Sequence, residues 1–139
     1  MQISTRFTMA VHTLLYIVRF SGSLRVTSKL VAESAGANPV VIRRLFSQLK
    51  EAGIIMVEPG VGGATVVKNY DEITLFDVFR AVESTEESLF AFHDVSGSDC
   101  PVAGAIHEVL DKELEDAQQA LEKRLTRTTL QDLLDRLPS

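Results

Sequence analysis

Cysteine is nearly absent from these 139 residues: Cys100 stands alone, so no internal disulfide can form, and a reducing cytoplasm is the simplest home for such a chain. A long uninterrupted apolar run is missing too. The nearest approach, FTMAVHTLLYIVRF from Phe7, is broken by Thr8, His12, Thr13 and Arg19 and is too short to span a bilayer. No A-x-A-like cleavage site follows it, so it reads as an N-terminal core helix and not as a secretory signal. Enzymatic signatures are also lacking. There is no nucleophile with an adjacent base, no carboxylate pair on one face and no metal-ligand spacing. The glycines of EPGVGGATVV have neither the lysine nor the following helix of a Walker loop, and their strand-like continuation excludes a Rossmann fingerprint. What remains is a hydrophobic content of 45%, enough for one compact domain or a small domain with an oligomerisation appendage.

Charge is unevenly placed. The net charge is −5, yet residues 1–68 carry eight basic against three acidic groups, a net +5, and residues 69–139 carry six against sixteen, a net −10. Such a division suggests that one half meets a polyanion while the other keeps the molecule soluble.

Apolar spacing predicts the elements. Ser4 is a plausible N-cap for a first helix, with Phe7, Val11, Leu14 and Val18 on one face. Thr27 caps a short second helix, SKLVAESA, with Leu30, Val31 and Ala35 facing inward and Gly36 as its stop. Asn38 and Pro39 form an N-cap and first-turn pair for a third helix running to Gly53. Helix, tight turn, helix is the helix-turn-helix pattern. Ile42, Leu45, Phe46 and Leu49 form the third helix's inner face, which leaves Val40, Arg44, Ser47 and Glu51 opposite, flanked by Arg43 and Gln48. IIMV and TVV, joined by EPGVGGA, read as a hairpin with a glycine tip. A fourth helix follows Asp71, with Leu75, Val78, Phe79 and Val82 as its stripe. From Pro101 to about Thr126 a long helix carries Ile106, Leu110, Leu114, Ala117, Leu121 and Leu125 on one side. It forms a rod of roughly 38 Å, whose stripe is most economically covered by a second subunit. Thr128 with Gln131 has the pattern of a capping box for a short closing helix.

The fold expected is therefore mainly α with a small β-hairpin: a winged helix-turn-helix over residues 1–84, then a loop and dimerisation helices over 85–139. TSKLVAESAGANPVVIRRLFSQLKEAGII, the GVGGATV wing and the long C-terminal helix together resemble the Rrf-two family of bacterial transcriptional regulators, which includes the IscR, NsrR and CymR types. Gly62 and Gly63 keep that family's wing glycines, whereas Glu58, Pro59 and Ala64 stand where it usually has Arg, Gly and Tyr. Many members hold an iron–sulfur cluster on three cysteines spaced C-x5-C-x5-C. Cys100 matches the last of them, but Asp94 and Ser88 occupy the other two positions, and Ala103 replaces a histidine found in some members. One thiolate per chain is too few for a cluster. A mixed site of His93, Asp94, His107 and Cys100 is a weaker alternative, so no cofactor and no metal are expected.

The function expected is a sequence-specific regulator, a homodimeric repressor on a roughly palindromic duplex operator, answering a redox or small-molecule signal, with no membrane partner. Arg43 and Arg44 would take base edges or phosphates, Asn38 and Ser47 would add polar contacts, and Val40 would touch a thymine methyl. Ser28 and Lys29 would anchor a phosphate at a helix N-terminus, and Gly62, Gly63 and Thr65 would bring the wing backbone against the duplex. Cys100 is the candidate redox sensor. The rival reading is a winged-helix module that binds protein and not DNA.

Overall fold

The computed structural model describes residues 5–83 and 89–138. The helices run α1 Thr5–Phe20, α2 Ser28–Ala35, α3 Pro39–Glu51, α4 Leu75–Val82, α5 Pro101–Thr126 and α6 Leu130–Arg136, with strands β1 Ile55–Val57 and β2 Ala64–Val66 between α3 and α4. This is the winged helix-turn-helix with a long C-terminal helix that the periodicity predicts. Ser4, and the boundary between residues 84 and 85, lie outside the described residues.

The core is assembled from one face of each early element. Ala10, Leu14 and Ile17 of α1 meet Val31 and Ala32 of α2, Ile42, Leu45 and Leu49 of α3, and Val78 and Val82 of α4. The buried face of α1 is rotated from the expected stripe: Val11 and Val18 lie at its margin, and Ala10, Thr13 and Ile17 are buried instead. Small side chains at 10 and 13 let neighbouring elements approach closely, and Thr13 is tolerated there because its hydroxyl donates to the Met9 carbonyl at 2.7 Å. In α2 Val31 is buried as expected and Ala32 joins it, while Leu30 and Ala35 are only half-buried. The chain leaves the core at Gly36, whose φ of +64° closes the helix in the left-handed region.

The hairpin pairs Ile55 with Val66, Met56 with Thr65 and Val57 with Ala64. Its second strand is also tied to the segment before α2, since the Ala64 N–H donates to the Val26 carbonyl at 2.9 Å. Buried Val26 and Ala64 thus anchor the wing to the helical core.

The C-terminal end returns to the first half. Thr74 bridges Thr129, the Leu130 N–H donates to the Ile73 carbonyl at 2.8 Å, and Leu130 is buried in the main core. The capping box of α6 is formed by Thr129 and Asp132, not by Thr128 and Gln131. Thr128 instead turns inward and accepts from Arg124 at 2.9 Å. In contrast, α5 has no buried residue at all.

Candidate nucleic-acid interface

Local chemistry sets the two helices of the reading unit. The Thr27 hydroxyl accepts from the Leu30 N–H at 3.3 Å, and Asn38 Oδ1 accepts from the Val40 N–H at 2.9 Å. These caps start α2 and α3 on either side of the tight turn. With Ile42, Leu45, Phe46 and Leu49 buried, the opposite arc of α3 is turned to solvent: Val40 is 52% exposed, and Arg43, Arg44 and Ser47 are exposed. Among the described residues neither arginine has an ion-pair partner, so their charge is left for an external anion. Ser47 donates to the Arg43 carbonyl at 3.2 Å, which leaves its oxygen free to accept.

Four of the expected contacts converge. Ser28, Arg43, Ser47 and Gly62 line one groove of about 290 Å³ between α3 and the wing, with Phe46 and Val57 as its apolar wall and Lys50 at its edge. Lys50, which sequence patterning did not single out, continues the same helical arc one turn beyond Ser47, a spacing that could have found it. Lys29, Arg44 and Val40 are exposed outside this groove, and Thr65 is exposed on β2. Asn38 lines a different hollow, beside Met9 and His12 of α1, with its oxygen engaged in capping. Gly63 is not an open wing residue. It is buried, and a Cβ there would lie 2.8 Å from Arg25 Cγ. Sequence patterning did not single out Arg25, because the contact joins residues 38 positions apart, brought together beside the hydrogen bond from the Ala64 N–H to the Val26 carbonyl.

The loop before α5 carries Cys100 at the N-cap of that helix, exposed. The backbone N–H of Ala103, and secondarily that of Val102, hold its thiol below the ordinary value, although the sulfur makes no capping hydrogen bond. Asp94 is likewise held low by the side chain and the backbone N–H of Ser96. The His107 ring lies 4.2 Å from that of Phe92. Along α5 the expected dimer stripe divides: Ile106, Leu114, Leu121 and Leu125 are half-buried, whereas Leu110 and Ala117 are exposed. Val102 and Val109, outside that stripe, are 69% and 66% exposed.

A helix-turn-helix with an attached wing and an unpaired cationic arc on its second helix defines a DNA-binding protein of the winged-helix class. The chain belongs to the Rrf2 family, described as iron-dependent transcriptional regulators, which matches residues 3–136. It is 38% identical to YwnA of Bacillus subtilis (strain 168), assigned as an HTH-type transcriptional regulator, over 97% of this chain and 98% of that one. A crystal structure assigned as a DNA-binding protein superposes with a TM-score of 0.73 at 33% identity, covering 93% of this chain and 98% of that chain. The oxidised form of Staphylococcus aureus CymR shares the fold, with a TM-score of 0.72 at 22% identity over 100% of both chains. The protein is thus a DNA-binding transcriptional regulator and not an enzyme.

The family description names iron, and the donors of this chain do not fit an iron–sulfur cluster. Cys100 is the one thiol in the sequence, Asp94 is engaged with Ser96, and Ser88 lies outside the described residues. His93, Asp94, His107 and Cys100 do not come together, for among the described residues no group of three His, Cys, Asp or Glu is placed to hold a metal. No described helix is long and apolar enough to cross a membrane.

Proposed function

We propose that this regulator is a cytoplasmic homodimeric repressor that reads a roughly palindromic operator with α3, works without an iron–sulfur cluster, and is released by a redox or small-molecule signal acting on the loop that carries Cys100. The observation that carries the reading is the unneutralised cationic arc of α3, continuous with the groove of Ser28, Arg43, Ser47 and Gly62. Arg43 and Arg44 take guanine edges or phosphates, Val40 meets a thymine methyl, and Lys29 and Ser28 hold a phosphate at the start of α2. Gly62, together with Thr65, carries the wing along the backbone, and Asn38 adds its remaining amide donors. Dimerisation follows from α5, whose apolar side chains are left outside the core of their own chain. A second copy related by a two-fold axis would cover them and space two reading heads by one DNA turn or a small multiple. The loop joining the reading half to α5 is where a chemical change would alter that spacing.

Selection of fragments bound by the purified protein from its source genome tests this. The expected result is enrichment of a two-fold symmetric site, with binding that weakens steeply as salt rises. A salt-insensitive protein that enriches no sequence would establish instead the protein-interaction module.

A further inference from the structure

The wing poses an electrostatic difficulty for a surface that lies against phosphates. From Glu58 to Val67 it contains no lysine or arginine, and Glu58 is acidic. A cation is nevertheless held at its edge. The Ala64 N–H bond to the Val26 carbonyl brings the segment before α2 alongside the wing. There the aliphatic stem of Arg25 lies across Gly63: the three heavy atoms nearest to a Cβ built on Gly63 are all of Arg25, Cγ at 2.8, Cδ at 3.6 and Cβ at 3.8 Å. Gly63 has no positive φ, so the arginine stem, and not the backbone, excludes a side chain at that position. Arg25 itself is exposed, and among the described residues it has no salt-bridge partner. Three residues further on, Ser28 lines the groove between α3 and the wing.

We propose that Arg25 is the wing's phosphate-binding residue, supplied from outside the hairpin, and that Gly63 is glycine so that the Arg25 stem can be seated there. A stem already packed loses less freedom when the guanidinium meets a phosphate, and the added charge offsets Glu58. The contact is to the backbone, so it raises affinity for every sequence alike. The proposal rests on the DNA-binding reading of the groove.

Arg25→Met keeps a stem on Gly63 and removes the charge. Binding to the operator and to an unrelated duplex is measured by fluorescence anisotropy from 50 to 200 mM salt. The expected result is a salt slope shallower by about 0.9, a change of roughly 3.5-fold in affinity across that range, with equal weakening on both duplexes and an unchanged melting temperature. Arg25→Lys retains the parent slope. Gly63→Ala weakens binding in the parent but adds nothing in an Arg25→Ala background, where the obstructing stem is gone. An Arg25→Met protein with the parent's slope overturns the phosphate contact, and a Gly63→Ala penalty equal in both backgrounds overturns the seating role. If the parent itself binds no duplex, the DNA-binding reading falls first and this inference with it.

Discussion

Single side chains on α3 divide by what they face. Leu45 and Leu49 are buried while Arg44 and Val40 are exposed, so substitutions on the outer arc leave packing intact and, on the proposed function, are expected to change recognition. Arg44→Ala is expected to cost about 1–3 kcal/mol on the operator if the guanidinium pairs with a guanine edge, with little change in melting temperature. Titration of operator and scrambled duplex checks it, since a uniform loss on both would assign Arg44 to phosphates. Cys100 is a different kind of residue. The N–H groups of Ala103 and Val102 lower its pKa, so its thiolate persists to a lower pH than that of an ordinary cysteine. Its alkylation rate should therefore rise along a pH profile displaced to lower pH from that of a free thiol. Cys100→Ser should abolish any response of operator affinity to mild peroxide, and a response equal to the parent's would move the sensing role to a small ligand. The outer arc of α3 was legible because helical periodicity alone separates its two faces. The burial of Gly63 under Arg25 was not.

Among the elements, α4 and α6 begin in the same way. Thr74 and Asp77 exchange side-chain-to-backbone hydrogen bonds at 3.0 Å in each direction, and Thr129 and Asp132 repeat this at 3.2 and 2.9 Å. Burial pushes the Asp77 carboxyl up, but the Thr74 N–H, Arg80, the Thr74 hydroxyl and the charge of Lys68 together hold it below the ordinary value. Asp132 is lowered first by the Thr129 N–H. A depressed carboxylate pKa contributes stability that is present above the unfolded-state value and is lost as pH falls through the folded one. Thermal unfolding followed from neutral to acid pH should thus show a decline that Asp77→Asn flattens. Thr74→Ala should cost about 1 kcal/mol at neutral pH. An unchanged acid limb in Asp77→Asn would show that other carboxylates control it. The Thr74 box escaped sequence patterning because aspartate, and not glutamate or glutamine, occupies its third helical position. The box of α6 was displaced by one residue because Thr128 and Thr129 are adjacent and only tertiary packing draws Thr128 inward.

At the scale of the molecule, α5 and α6 behave oppositely although only residues 127–129 separate them. Leu130 is buried in the core beside Ile73, so Leu130→Ala should destabilise the whole fold by about 2–5 kcal/mol, read by denaturant unfolding. On α5, Val109 and Leu110 are exposed. Leu110→Glu should leave each chain folded while shifting sedimentation toward the monomer and weakening operator binding. A parent that sediments as a stable monomer at micromolar concentration would remove the dimer from the proposal.

The sequence by itself determined the elements, their order, the outward arc of α3 and the glycine tip of the wing. These follow from chain-local quantities: periodicity, capping chemistry and turn residues. The tertiary structure alone decided that α1 buries Ala10, Thr13 and Ile17, that Leu130 closes the first half's core, and that Arg25 is seated on Gly63. Each of these depends on how closely distant segments approach, and that distance is set by side-chain volume and hydrogen bonding across the fold, which no spacing along the chain records.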